Sequence, residues 1–303
     1  MWFWFALCTL LAWSGSDFMS KLGCGEKEDK TSHWKMITAV GFVMGLHAIY
    51  QLLFADVEFT LSVMLTYLPV SALYIGSMAI GYFGMRYIEL SISSPIMACS
   101  GAVVAVLTIC VDGISEDVPP LALAAVALVC VGVFGLSLTE SREDEALRAE
   151  RLKEGNRQYA KSVLAIALPL LYCAIDALGT FADSRVLMTL DEDSANVAYE
   201  LTFLFVGLCA AVYIYGVKKE PFLPKKEAPR YLGGVFETIG QFFYVMALAD
   251  TEHVAFSAPI MGSYCVASML WGRVFLREKL SKKHYFYVLL VLVAVVILGI
   301  LDL

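Results

Sequence analysis

Apolar residues occupy the chain in stretches of about twenty, separated by short polar segments, from one end to the other. Ten such stretches run approximately over 2–22, 34–54, 65–86, 90–111, 119–138, 162–183, 196–217, 231–249, 254–274 and 285–302. At about 1.5 Å per residue, each is long enough to cross a hydrocarbon core of about 30 Å as a helix. Membrane-spanning strands would instead alternate over about ten residues, and in lipid the backbone must satisfy its own polar groups. The pattern therefore predicts an all-α polytopic membrane protein of ten transmembrane helices. Composition agrees, with 59% hydrophobic and 17% charged residues. The first stretch has neither a basic leader nor a small-residue cleavage site, so it is expected to remain as a helix.

Charge adds an orientation. All but one of the 22 basic residues fall on or beside odd-numbered loops, with Arg185 alone on the even side. Basic loops belong on the cytoplasmic side, so both termini are expected outside. The net charge of -7 says little about partners, because acidic residues such as Asp56, Glu58, Glu116 and Asp191 populate the outer loops. Seven of the eight cysteines lie inside apolar spans, only Cys24 lies in a loop, and no CxxC pair occurs. The four histidines, His33, His47, His253 and His284, are scattered. No disulfide framework, metal site or cofactor is implied.

An internal repeat divides the chain. "SSPIMA" at 93–98 recurs as "SAPIMG" at 257–262, and the same offset pairs Tyr67 and Leu68 with Tyr231 and Leu232, and Gly76 with Gly240. Slightly different offsets pair "GLHA" (45–48) with "GLCA" (207–210), and Trp13 and Asp17 with Tyr172 and Asp176. The expected organisation is a first five-helix repeat over 1–138, a charged cytoplasmic connector over 139–161, and a second five-helix repeat over 162–303. Five is odd, so the second half must sit inverted, as the charge alternation also requires. Inverted repeats enclosing a site near the bilayer midplane mark secondary transporters. The connector "TESREDEALRAERLKEGNRQYAK" mixes both signs, with Asp144 and Arg148 at helical spacing, and reads as solvated.

Four segments in this order and spacing carry a family resemblance: "LLAWSGSDFMSKLG" (10–23), "SISSPIMACSGAVVAVL" (91–107), "VCVGVFGLSL" (129–138) and "AFSAPIMGSYCVASMLWGRVFLREKLS" (255–281). Over essentially its whole length the chain resembles the drug/metabolite transporter superfamily, specifically its EamA-like members of ten helices. The second half has the family-like acidic residue after the ninth span, Glu278, whereas the first half reads "VDGISEDV" there. The resemblance implies gradient-driven transport of amino acids, amines, sugars or nucleotide derivatives, in a bacterial plasma membrane.

Few ionisable residues lie within the spans: Asp17, Asp176, Asp183, Glu200 and Glu237, against His47. A carboxylate at a helix centre costs about 2.5–3.5 kcal/mol to insert, which marks such groups as functional candidates. Asp17 has two readings, an i,i+4 pair with Lys21 or a place in the pathway, and its counterpart Asp176 favours the second. Counting helical rise, Asp17 and Glu237 lie roughly 8–9 Å from the same end of their helices and can share a layer. Glu237 has Gln241 one turn on and no basic neighbour in its span. Asp183 and Glu200 read as structural, neutralised by Arg185 at the outer surface, and His47 as a hydrogen-bonded interior residue. Arg86 and Glu89 are expected to pair across a turn.

Aromatics complete the expectation. Trp13 precedes Asp17 by one turn, and Tyr172 precedes Asp176 likewise, so ring and carboxylate share a face in both halves. Tyr74 and Tyr264 are also placed in the interior, and Trp271 shares the face of Tyr264 seven residues on, whereas Trp2, Trp4 and Tyr285 fit an interfacial belt. Rings and carboxylates together suit an organic cation, held by cation–π and Coulomb attraction. The candidate substrate-binding set is Trp13, Asp17, Tyr74, Tyr172, Asp176, Glu237, Gln241, Tyr264 and Trp271, with Asp17 and Glu237 as proton-coupling candidates. The leading expectation is a secondary transporter of a small organic cation or amine-bearing metabolite. A proton-coupled exporter of neutral amino acids or other metabolites uses the same carboxylates for protons alone. A channel or a receptor without turnover is a weaker alternative, and no enzymatic set is visible. Expected partners are a small-molecule substrate and the lipid bilayer, with a homodimer left open and no nucleic acid.

Overall fold

The computed structural model describes residues 1–24, 29–55, 57, 59–85, 90–113, 118–141, 164–275 and 280–301. The connector from 142 onward, Arg86 and Glu89, and Glu278 lie outside the described residues.

The first half contributes α1 (Trp2–Cys24), α2 (Ser32–Phe54), α3 (Leu61–Met85), α4 (Leu90–Asp112) and α5 (Pro120–Ser141). The second contributes α6 (Leu164–Val186), α7 (Glu192–Ala211, extended by a π-helical turn Val212–Val217), α8 (Pro224–Ala249), α9 (Val254–Gly262), α10 (Tyr264–Phe275) and α11 (Lys282–Leu301). Local chemistry fixes several boundaries. Asp191 caps α7 by accepting from the Ser194 amide at 3.1 Å, and Pro224 opens α8 where no backbone donor is needed. The ninth span is broken: the Ser263 amide turns back to the carbonyls of Pro259 and Ile260, both at 3.0 Å, and α10 restarts at Tyr264.

Among the described residues, eight helical segments are long and apolar enough to cross a membrane, α9 and α10 counting as one of them. The two remaining long helices, α1 and α6, have 23 residues each and carry charged groups, Asp17 and Lys21 in one, Asp176, Asp183 and Arg185 in the other. Together they make ten segments of an all-α bundle among the described residues. The eighth begins earlier than hydropathy predicts: α8 starts at Pro224, so Arg230 stands in its second turn rather than in a loop.

Each helix of the first half packs mainly on one of the second: α1 on α8, α2 on α7, α3 on α6, α4 on α9 and α5 on α11. Exchanging α1 with α6, α2 with α7, and so on, carries this pairing onto itself. Two self-paired crossings are backbone contacts. A Cβ added to Gly41 would stand 2.5 Å from the Phe203 carbonyl oxygen, and one on Gly207 3.1 Å from the Gly41 Cα. A Cβ on Gly101 would stand 2.3 Å from the Ala258 carbonyl oxygen, and one on Gly262 2.9 Å from that of Ala98. These glycines belong to or adjoin the repeated "GLHA/GLCA" and "SSPIMA/SAPIMG" motifs, so the repeat marks where helices touch most closely. Gly101→Ala is expected to destabilise the bundle by about 1–3 kcal/mol, the usual cost of overpacking. Gly76→Ala, facing open space, is the control. Equal thermal midpoints for the two variants in detergent would contradict the close approach.

The two ends of the bundle differ. At one, α1 begins beside the end of α11, where a Cβ on Gly299 would meet the Phe3 ring at 2.3 Å. This is the terminal end. At the opposite, basic end, Arg230 is 1% exposed and donates through Nε to the Gly23 carbonyl at 2.9 Å. Its guanidinium pairs with Asp29 at 2.8 Å and Glu227 at 2.7 Å. Lys35 pairs with Asp29 at 2.9 Å and Glu220 at 2.6 Å, and Thr31 donates to Glu220 at 2.7 Å. Burial raises the Asp29 pKa, but the Lys35 hydrogen bond and the Arg230 and Lys35 charges outweigh it and hold the carboxyl below its ordinary value.

Candidate functional site

Between the halves lies a cavity of about 60 Å³. Trp13, Ser16, Asp17 and Ser20 reach it from α1; Tyr74, Met78, Gly81, Tyr82 and Met85 from α3; Met97 from α4. Tyr172 and Asp176 come from α6, Tyr199 from α7, Glu237 and Gln241 from α8, and Tyr264 from the first turn of α10. The structure thus brings together Trp13, Asp17, Tyr74, Tyr172, Asp176, Glu237, Gln241 and Tyr264 from the sequence set. Trp271 is not among the lining residues. Seven residues beyond Tyr264 it has moved about 10 Å along α10, where its Nε1 donates to Ser14 Oγ at 2.9 Å and its ring lies against Phe275.

Three carboxylates from three helices converge on this cavity. Asp17 accepts from Ser94 Oγ at 2.7 Å. Asp176 accepts from Ser77 Oγ at 3.4 Å. Glu237 interacts with the Ser16 hydroxyl. No lysine, arginine or histidine is found among the described lining residues. Trp13 packs on Tyr244 at 4.9 Å between ring centroids and edge-on to Tyr264 at 6.2 Å. The Gln241 amide nitrogen and the Tyr82 hydroxyl are buried with no hydrogen-bond partner among the described residues. Such groups are costly to leave unpaired and mark places for water or ligand. Chemically, the site offers negative charge and ring faces to a cation, with an amide and a phenol left to hydrogen-bond. Its volume admits a few waters and lies well below the about 300 Å³ of a typical small-molecule pocket, so cargo requires expansion.

The other span carboxylates sit elsewhere and correct the expectation that Arg185 neutralises them. Arg185 is held by Asp112 through two bonds, 2.8 and 2.6 Å. Asp183 instead accepts from Tyr67 at 2.8 Å and from Tyr74 at 3.1 Å. Glu200 pairs with His47 Nδ1 at 2.8 Å, the hydrogen-bonded role expected of that histidine.

A larger basin of about 660 Å³ opens at the terminal end, walled by Thr108, Asp112, Arg185, Glu252, His253 and Phe256. Along α4, Met97 lines the small cavity, Gly101 makes the crossing with α9, and Thr108 and Asp112 line the basin. Along α4 the crossing therefore falls between the two spaces.

Several lining residues could have been found by spacing alone. Tyr74, Met78, Gly81, Tyr82 and Met85 follow the i, i+4, i+7, i+8, i+11 stripe of one helix face. Tyr199, Met97, Ser16 and Ser20 carried no comparable signal.

Residues 161–300, the second half of the chain, match the EamA-like transporter family, a family of membrane transporters of small molecules within the drug/metabolite transporter superfamily. No curated protein matches the sequence. A solved structure described as "Crystal structure of protein" is similar in fold, with a TM-score of 0.66 over 99% of this chain and 96% of that chain, at 14% identity.

Proposed function

We propose that the protein is a secondary transporter that moves a small organic cation or amine-bearing metabolite by alternating access. The observation that carries this reading is the convergence of Asp17, Asp176 and Glu237 on one ring-lined cavity whose described lining contains no basic side chain. In such a low-dielectric space, carboxylates demand a countercharge, and either protons or an ammonium group supplies it. Competition between the two at Asp17 or Glu237 enforces exchange. Trp13, Tyr172 and Tyr264 add cation–π attraction. The two inverted halves, 1–138 and 162–303 with their connector over 139–161, move against each other around this site. The basic end, with Lys35 and Arg230, faces the cytoplasm, and both termini face outside.

A second reading is supported by the unpartnered Gln241 amide and Tyr82 hydroxyl. These suit a neutral polar cargo, with the carboxylates carrying only protons. Uptake into proteoliposomes separates the two. Labelled tetraethylammonium or phenethylamine is expected to accumulate, with unlabelled amines competing. Accumulation of neutral amino acids without amine competition selects the second reading. Failure of both cargo classes rejects the site.

A further inference from the structure

Beside the cavity stands a fourth buried carboxylate that the transport reading does not use. Asp183, in α6, is fully buried, and among the described residues no cation pairs with it, since Arg185 is committed to Asp112. Two phenols of α3 hold it, Tyr67 on one carboxylate oxygen and Tyr74 on the other. Tyr74 in turn hydrogen-bonds Tyr244 of α8, and Tyr244 donates to Thr180 of α6 at 2.9 Å. Tyr199 of α7 is the remaining phenol that faces the group electrostatically. Among the described residues, the groups that address Asp183 from α3, α7 and α8 are therefore neutral hydroxyls, and its own helix supplies Thr180.

Tyr74, Tyr244 and Thr180 each carry one hydroxyl proton and can accept another, so the row Asp183–Tyr74–Tyr244–Thr180 has two states. With Asp183 ionised, Tyr74 donates to it and Tyr244 donates to Thr180, which leaves no proton between the two facing phenol oxygens. With Asp183 protonated, its own O–H donates to Tyr74, Tyr74 is freed to donate to Tyr244, and Tyr244 still donates to Thr180. One added proton thus completes the row, and no bond is broken. Tyr74 also lines the small cavity. A proton on Asp183 can thus pass to Tyr74 while Tyr74 releases its own proton toward cavity water, which balances the transfer.

We propose that Asp183 is a proton-binding site distinct from the cargo carboxylates, connected to the cavity through Tyr74 and latching α3 to α6 and α8 near the terminal end. This rests on the transport reading for its purpose, though not for the binding of the proton. The latch joins α3 and α6, the pair that repeat exchange relates to α1 and α8, whose seam Arg230 closes at the basic end. One seam is sealed by a guanidinium with fixed charge. The other is sealed by a group whose charge comes and goes with a proton.

Infrared titration of the purified protein tests the proton site without any cargo. A buried carboxylic C=O band that appears on acidification is expected to vanish in Asp183→Asn and to persist in Asp17→Asn and Glu237→Gln. Tyr67→Phe removes one hydroxyl partner and is expected to shift that band, which serves if Asp183→Asn does not fold. An unaltered band in Asp183→Asn, or in Tyr67→Phe where Asp183→Asn does not fold, overturns the assignment. In proteoliposomes, Asp183→Asn is expected to retain tetraethylammonium counterflow while losing proton-gradient-driven accumulation. Full gradient-driven accumulation in Asp183→Asn overturns the coupling role. Absence of both activities in the wild-type protein rejects the transport reading instead, and the infrared result still decides the proton site.

Discussion

Glu237→Gln and Asp17→Asn are each expected to abolish uptake of tetraethylammonium in proteoliposomes. Both are isosteric and keep a hydrogen-bonding group against Ser16 and Ser94, so what they remove is charge. Removing one member of a buried, hydrogen-bonded charge pair costs about 2–5 kcal/mol, or roughly 30-fold to a few thousandfold in affinity. Asp176→Asn should fall in the same range, because Asp176 reaches the same cavity from the opposite half. Trp271→Phe, outside the lining, loses one hydrogen bond to Ser14 and should transport nearly as well as wild type. Wild-type rates in both carboxylate variants, or a loss confined to Trp271→Phe, would remove the cavity from the pathway.

Arg230→Ala should be the most destabilising single change at the basic end. The side chain is 1% exposed, satisfies the Gly23 carbonyl, and neutralises Asp29 and Glu227. Its loss leaves Asp29 with Lys35 alone and takes this cation from the buried Glu227, for which about 3–5 kcal/mol is typical. A combined Arg230→Met, Asp29→Asn, Glu227→Gln variant should recover most of that loss, since whole buried ion clusters are often replaceable by neutral groups. Thermal unfolding in detergent measures both. If the single variant melts with the wild type, the cluster contributes nothing to the fold.

Helix class was legible, and helix number approximately, because hydropathy alone marks segments that must satisfy their own backbone in lipid. The recurring motifs lie at or near the tight crossings: Gly207 and Gly262 take part in them, and Gly45 and Ala98 stand about one turn from Gly41 and Gly101, a placement the repeat did not by itself predict. The cavity was legible as far as depth and helical face determine position, which sufficed for Trp13, Asp17, Tyr172, Asp176, Glu237, Gln241, Tyr74 and Tyr264. Trp271 went astray because seven residues preserve the face of a helix while changing its level. Arg230 was hidden for the opposite reason. Its charge argued for a loop, yet Asp29 and Glu227 make it affordable inside a helix, and such pairing arises only in three dimensions. Asp183 looked like a partner for Arg185 two residues away. Neighbours two apart in a helix point in different directions, so one met Asp112 and the other the phenols of α3.

At Gly101 and Gly262, α4 and α9 touch backbone to backbone between the small cavity and the terminal basin. Helices joined so closely cannot separate at that point without losing the contact, but they can tilt about it, as a pair of scissors turns on its rivet. Spreading the blades on one side brings them together on the other. In the proposed transport cycle the cavity and the basin would then open by turns, one narrowing as the other widens.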